Sequence, residues 1–260
     1  MKKRGCRWWP MSPKGVPRIL PGALFVADAH YNPLGRTELI GFLEAIASGR
    51  INPPQLFLMG DIADILMGPL KFTQVRNRLL IERVNRIADR GVEVWFFEGN
   101  HDFLLKGVFS DRVNRVAFCD QPAEFEMGSK RAILMHGDFR VARRYQIYSA
   151  IIRHPVGLML IHLLSFNFLN NHLVKRMERH LQAKNICHPI AGFEQKRSNA
   201  LQDRAKRTDI VIEGHFHQSC QFKIGAATYY NLPAFACGQR YSEVESTDKG
   251  LSLSVKEWGA

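Results

Sequence analysis

Val94-Trp95-Phe96-Phe97-Glu98-Gly99-Asn100-His101-Asp102-Phe103 is the stretch on which the reading of this chain turns. Four large apolar residues, Val94 to Phe97, predict a strand buried on both faces. The run stops at Glu98-Gly99, and Asn100, His101 and Asp102 follow at its mouth. Polar side chains placed at the end of a buried element are costly unless they find partners. Taken alone, GNHD is equally compatible with a capped strand-to-helix turn. Four further apolar runs end in the same manner, however.

In chain order, Ala23–Ala27 ends in Asp28-Ala29-His30, and Leu56–Met59 ends in Gly60-Asp61. Ala132–Met135 ends in His136-Gly137-Asp138, and Asp209–Ile212 ends in Glu213-Gly214-His215-Phe216-His217. Helices are predicted between them. Thr37–Ser48 carries apolar residues at Leu39, Ile40, Leu43 and Ile46-Ala47, with Gly49 near its end. Phe72–Asp89 reads as one basic amphipathic helix closed by Gly91. Strands alternating with helices give an α/β chain, and in α/β sheets functional groups collect at the carboxyl ends of the strands. The five ends can therefore converge, bringing together Asp28, His30, Asp61, Asn100, His136, His215 and His217. Carboxylate, imidazole and amide donors together suit divalent Mn, Fe or Zn better than an all-oxygen Mg or Ca site. Asp28/His30 and His215/His217 are i, i+2 pairs, which an extended chain points the same way. Seven donors exceed one ion's needs and fit two if a carboxylate is shared.

DAH, GD, GNHD, HGD and GHFH, in this order, resemble the blocks of the calcineurin-like metallophosphoesterases over about residues 23–240. The resemblance implies a four-layered αββα sandwich. It also implies one metal on Asp28, His30, Asp61 and His217, and a second on Asp61, Asn100, His136 and His215, with Asp61 bridging. Manganese is the expected ion, with iron or zinc also compatible. Two-metal sites of this kind activate a water for in-line attack at phosphorus. Next to ligand Asn100, His101 is the expected aid to the phosphoryl oxygen or leaving group, with Asp102 orienting it.

These motifs leave the phosphoester open, and the rest of the chain narrows it. Residues 140–207 break the strand rhythm and read as wholly helical. Their centre, Val156–Leu169, is apolar on nearly every face but only 14 residues long, which suits a buried or interfacial helix better than a membrane span. An HGD block followed by Tyr145-Gln146 and His154-Pro155, then an apolar and basic helical lid, resembles the UDP-2,3-diacylglucosamine pyrophosphatases of lipid A synthesis. That resemblance implies an acylated nucleotide-sugar substrate, met at the inner-membrane surface by a peripheral, cytoplasmic enzyme. Arg143, Arg144, Tyr145, Arg153, Arg176 and Arg179 would then contact the diphosphate, uridine or headgroup. The chain departs from that family at His101, where arginine is usual. A phosphoesterase acting on a nucleotide, phosphoprotein or nucleic acid stays open as the alternative.

Charge is distributed in keeping with an anionic partner. Residues 1–22 hold six Lys/Arg and no Asp/Glu, and residues 140–207 hold thirteen Lys/Arg against Glu178, Glu194 and Asp203. Of the net +12, that leaves the remaining body mildly acidic. No obligate nucleic-acid partner is expected, because apolar residues interrupt the basic lid. The first 22 residues, with four prolines and the pair Trp8-Trp9, predict a flexible basic tail. Residues 23–260 form the expected catalytic domain, with the lid inserted at about 140–207. Five widely spaced cysteines without a CxxC pair point to reduced thiols.

Overall fold

The computed structural model describes residues 15–138, 156, 186–248 and 250–259. Two six-stranded sheets form its centre. The first runs in the order β14 (Gly250–Glu257), β13 (Arg240–Thr247), β2 (Leu24–Val26), β3 (Gln55–Leu58), β5 (Glu93–Phe97), β7 (Asn114–Val116). The second runs β1 (Arg18–Ile19), β8 (Ala123–Met127), β9 (Lys130–Met135), β10 (Ile210–Glu213), β12 (Ala227–Asn231), β11 (Cys220–Ile224). β2, β3 and β5 are parallel neighbours, as are β9 and β10. None of the five strands that carry the polar blocks therefore lies at a sheet edge.

Alternation of side chains along each strand builds the layers. Phe25, Phe57, Trp95 and Phe97 face the other sheet and meet Phe125, Leu134 and Ile212. The Phe25 and Phe57 rings stack with centroids 4.4 Å apart. Leu24, Val26, Leu56, Leu58, Val94 and Phe96 point the opposite way, onto helices α1 (Glu38–Ala47) and α3 (Arg78–Asp89). Burial of each such side chain is worth roughly 1.5–3 kcal/mol. The expectation that Val94–Phe97 is buried on both faces holds, with exposures of 0, 5, 0 and 0%. On the outer face of the second sheet, Ile133, Met135, Val211 and Tyr229 are covered by Phe193, Leu201 and Ala205 of α4 (Phe193–Ala205). The result is the four-layered αββα sandwich that the resemblance implied.

Several expectations are corrected. The Phe72–Asp89 helix is two, α2 (Lys71–Arg76) and α3, because the Asn77 side chain turns back to donate to the Ile65 and Thr73 carbonyls at 2.9 and 2.8 Å. Residues 193–205, counted within the lid, instead form the outer helical layer, and residues 186–192 are not helical. Arg143, Arg144, Tyr145, Arg153, Arg176 and Arg179, like most of the Val156–Leu169 run, lie outside the described residues. The tail gives up its last residues to the sandwich: Ile19 is buried, β1 pairs with β8, and Gln55 both donates to the Arg18 carbonyl and accepts from the Leu20 N–H. The end of the chain holds a hairpin of two eight-residue strands, β13 and β14.

Reduced thiols throughout are also overturned: Cys187 and Cys237 form a disulfide, with Cα atoms 5.8 Å apart. Their separation of 50 residues in sequence carried no sign of the meeting. Among the described residues, Cys119 and Cys220 stand outside any disulfide. No described helix is long and apolar enough to cross a membrane.

Candidate metal centre

The five strand ends do converge. Asp28, His30 and His217 present ligand atoms that all lie within 4.8 Å of one another, and so do Asp61, His136 and His215. Asn100 joins the second group, its Oδ1 lying 3.2 Å from His136 Nε2. Each of the seven residues singled out from sequence thus sits in one of two adjoining clusters.

Local backbone geometry explains how neighbouring residues aim at one place. Asp28, His30, Asp61, His215 and His217 have φ between 47° and 63°, the left-handed region. A non-glycine residue there is uncommon, though Asp and His are among the more tolerant types. Four of these backbones are pinned: Asp28 N donates to the Gly60 carbonyl at 3.1 Å, His30 N to the Asp61 carbonyl at 2.9 Å, Asp61 N to Asp102 Oδ1 at 2.9 Å, and His215 N to Asp28 Oδ2 at 2.8 Å.

Ring orientation follows from carbonyl partners, which can only accept. His136 Nδ1 donates to the Met59 carbonyl at 3.0 Å, and His217 Nδ1 to the Ile186 carbonyl at 2.7 Å. In the neutral rings the lone pair is then on Nε2. His217 Nε2 lies 3.2 Å from Asp28 Oδ1, a fully buried oxygen without a hydrogen-bond partner. His136 Nε2 lies 3.2 Å from His215 Nδ1 and 3.4 Å from Asp61 Oδ2. Two ring nitrogens and a carboxylate oxygen facing one another are satisfied by a proton or a cation among them, and the donor types fit a divalent metal.

Electrostatics agree. Burial alone would raise Asp61, but His136 and His101 override it and hold the carboxyl well below the usual range. Burial opposes charge at His136 and His217 also, yet Asp61 lifts His136 well above the ordinary histidine value and Asp28 raises His217. Burial, then His136, pushes His215 down to about 4.

His101 lies beside the clusters, its ring 4.9 Å edge-on from that of His30. Its Nδ1 donates to the Asp64 carbonyl at 2.8 Å, leaving Nε2 toward Asp61 Oδ2 at 3.9 Å. Burial lowers its pKa. Asp102 does not orient this ring as expected. Its carboxylate instead accepts backbone N–H groups from Asp61 (2.9 Å), Ile62 (2.6 Å), Ala63 (3.2 Å) and Gly99 (2.9 Å), bracing the turn that carries Asp61.

Four contributors escaped the sequence reading. Asp64, buried at 2% exposure, sets Oδ1 3.3 Å from His30 Nδ1 and groups with His30 and His101. Its place three residues after Asp61 in a polar strand end was the available signal. Glu98 ties Leu105 N and Arg115 beside the GNHD turn, and its charge at the end of an apolar run was a second signal. Gln121 accepts from His136 N at 2.7 Å and donates to the Glu98 carbonyl at 2.7 Å, with no signal in the sequence. Glu213, fully buried, is held by Arg197 at 2.8 and 2.6 Å and by Tyr229 Oη at 2.8 Å. It fixes the end of β10 just before His215.

No family model matches the chain. Curated relatives do. The chain is 26% identical over 236 residues to the UDP-2,3-diacylglucosamine hydrolase of Photorhabdus laumondii, covering 88% of this chain and 97% of that one. It is 21% identical over 247 residues to the Blochmanniella pennsylvanica enzyme of the same name, covering 90% and 96%. With that of Shigella dysenteriae it shares 25% over 198 residues, covering 75% and 81%. Among solved structures, a predicted phosphoesterase from Streptococcus pneumoniae aligns with a TM-score of 0.40 at 16% identity, covering 91% of this chain and 89% of that one. The chain thus places its five polar blocks at the strand ends of an αββα sandwich, and over most of its length it is similar to the UDP-2,3-diacylglucosamine hydrolases.

Proposed function

We propose that the protein hydrolyses the phosphoanhydride of UDP-2,3-diacylglucosamine with two bound divalent metal ions, manganese being the favoured metal. Water adds across the P–O–P link, giving UMP and 2,3-diacylglucosamine 1-phosphate. The observation that carries the metal chemistry is the convergence of His215 Nδ1 and Asp61 Oδ2 within 3.4 Å of His136 Nε2. The substrate assignment is supported by similarity to hydrolases of that name over 75–90% of the chain.

Asp28, His30, Asp61 and His217 would hold one ion, and Asp61, Asn100, His136 and His215 the other, with Asp61 shared. Bound divalent metal supplies Lewis acidity and a low-pKa water. His101 sits outside both ligand sets with Nδ1 tethered, so Nε2 is the atom placed to exchange a proton with the reacting phosphate or leaving oxygen. Asp102 acts through Asp61 by bracing its turn. Arg143, Arg144, Tyr145, Arg153, Arg176 and Arg179 would meet the diphosphate and uridine, and the apolar run Val156–Leu169 the acyl chains. The same run, with the basic segments, would bring the enzyme to the inner-membrane surface as a peripheral protein.

The test compares UMP release from UDP-2,3-diacylglucosamine, with Mn added, against hydrolysis of bis-p-nitrophenyl phosphate. Strong preference for the lipid is expected. Turnover of the generic ester alone would keep the metal centre and discard the lipid substrate.

A further inference from the structure

His217 stands in a closed circuit that the metal ligands alone do not explain. On one side, its Nδ1 donates to the carbonyl of Ile186, whose neighbour Cys187 is bonded to Cys237. On the other, its Nε2 faces Asp28 Oδ1 at 3.2 Å. Cys237 closes the circuit, because its segment is laced to the strand end that carries Asp28. Phe235 N donates to the Ala27 carbonyl at 2.8 Å, and Ala236 N to the Asp28 carbonyl at 3.3 Å. A turn bond from Cys237 N to the Ala234 carbonyl at 2.9 Å makes this segment stiff. The disulfide therefore fixes the distance between the group that orients His217 and the carboxylate that His217 faces.

We infer that the Cys187–Cys237 disulfide positions His217 for metal binding, so that its reduction by a dithiol weakens the ion held at the Asp28–His30–His217 cluster. This rests on the metal reading above. The step is a thiol–disulfide exchange: two electrons and two protons pass to the S–S bond, which opens to two thiols, while the dithiol closes to its own disulfide. A histidine ligand is held in its productive tautomer and orientation by the acceptor on its other nitrogen, and loss of such a partner costs about 10- to 100-fold in metal affinity. The lower end applies here. Gln218 keeps a second hold on the same segment, accepting from Ile190 N at 2.8 Å and donating to the His188 carbonyl at 3.3 Å. Reduction loosens residues 186–187 without releasing the rest.

The experiment uses the full chain. Mass mapping of a non-reduced digest is expected to show a linked peptide containing Cys187 and Cys237; finding both free overturns the inference. Calorimetric titration with Mn²⁺ is then run on the oxidised protein, on protein reduced with dithiothreitol, alkylated and desalted, and on a Cys187→Ser/Cys237→Ser variant. In the last two, one of two Mn²⁺ equivalents weakens about tenfold, the other stays within twofold, and Cys119→Ser leaves both unchanged. Equal affinities in all forms overturn the disulfide's role and leave the metal centre intact, whereas no Mn²⁺ binding in any form sinks both. Should the double variant fold poorly, ¹⁵N-imidazole NMR of the freshly reduced wild-type protein decides. The protected His217 Nδ1–H resonance is expected to broaden or exchange on reduction, and its persistence unchanged refutes the inference.

Discussion

Gly99→Ala is the substitution that most directly separates a metal centre from an incidental cluster of polar side chains. A Cβ on Gly99 would overlap Asp61 Oδ1, lie 2.5 Å from Asp61 N and stand 3.0 Å from Asp102 Oδ1. Real Cβ atoms do not come so close, and two of these three atoms belong to the residue assigned as the shared ligand. Nothing flexible is available to yield, because Asp61 is held through both its N–H to Asp102 and its Oδ1, which accepts from His101 N at 2.8 Å. The turn must therefore move by something approaching an ångström. Overpacking of this kind costs about 1–3 kcal/mol of stability, and displacing a reacting group by about 1 Å costs on the order of 100-fold in rate. Gly91→Ala is the control. Gly91 has φ +92°, and a Cβ there meets nothing within 4 Å, so it carries backbone strain without touching the centre. Strain of that type costs about 1–2 kcal/mol. The two variants thus have overlapping expected stability losses but differ in chemistry. Gly99→Ala should lose at least one metal equivalent by elemental analysis and most of its turnover, and Gly91→Ala neither. A Gly99→Ala protein that keeps two equivalents and turnover within twofold refutes Asp61 as a ligand.

Asp61→Ala should abolish turnover and reduce metal content. His101→Asn should retain both metal equivalents while turnover falls about 100-fold or more, the usual range for a proton-transfer group; loss of metal would make it a ligand instead. Arg197→Met leaves the fully buried Glu213 without its cation and should cost about 3–5 kcal/mol in urea denaturation. A loss under about 1 kcal/mol would show that Tyr229 alone satisfies that carboxylate. Because Asp61 raises His136 and Asp28 raises His217, the metal-free rings hold protons that an entering ion must displace. Mn²⁺ affinity should therefore weaken on acidification from about pH 8 to about pH 6, by about tenfold per pH unit for each proton released. A pH-independent affinity would mean that the rings bind metal without surrendering a proton.

Much of this architecture was legible because its signals are local. Val94–Phe97 and its four counterparts declare themselves by continuous apolar runs, and the residues at their ends declare themselves by chemistry that a buried strand end does not otherwise carry. What was illegible depends on contacts between distant segments. β1 holds only two residues, and it exists because Gln55, 37 residues away from Arg18, bonds the backbone on both sides of it. Asn77 breaks a helix that its periodicity supports, through a bond to the Ile65 carbonyl. Cys187 and Cys237 meet only once the insertion returns to the sheet. Asp102 was assigned to the right place but the wrong task, since sequence adjacency to His101 suggested a side-chain pair where the fold makes a backbone brace.

The left-handed residues connect these two levels. A strand that simply continued would send Asp28 and His30 to one face, where the adjoining helices or the opposite sheet would bury them. Turning φ positive at both residues takes the chain out of the sheet, so that both side chains reach the rim. The same device recurs at Asp61, after β3, and at His215 and His217, both after β10. Each such residue costs about 1–2 kcal/mol relative to ordinary backbone, and no described hydrophobic contact requires it. Carboxylate bracing supplies what holds the turns: Asp102 accepts from Asp61 N, and Asp28 Oδ2 accepts from His215 N. Asp28 thereby serves two strands at once, with one oxygen fixing the His215 backbone and the other left facing His217 Nε2. An Asp28→Asn substitution separates these roles, because an amide oxygen can still accept from His215 N while its NH₂ turns toward His217. The fold should then survive with little change in urea midpoint and the first metal equivalent should be lost. Loss of both together would mean that the turn itself depends on the ion.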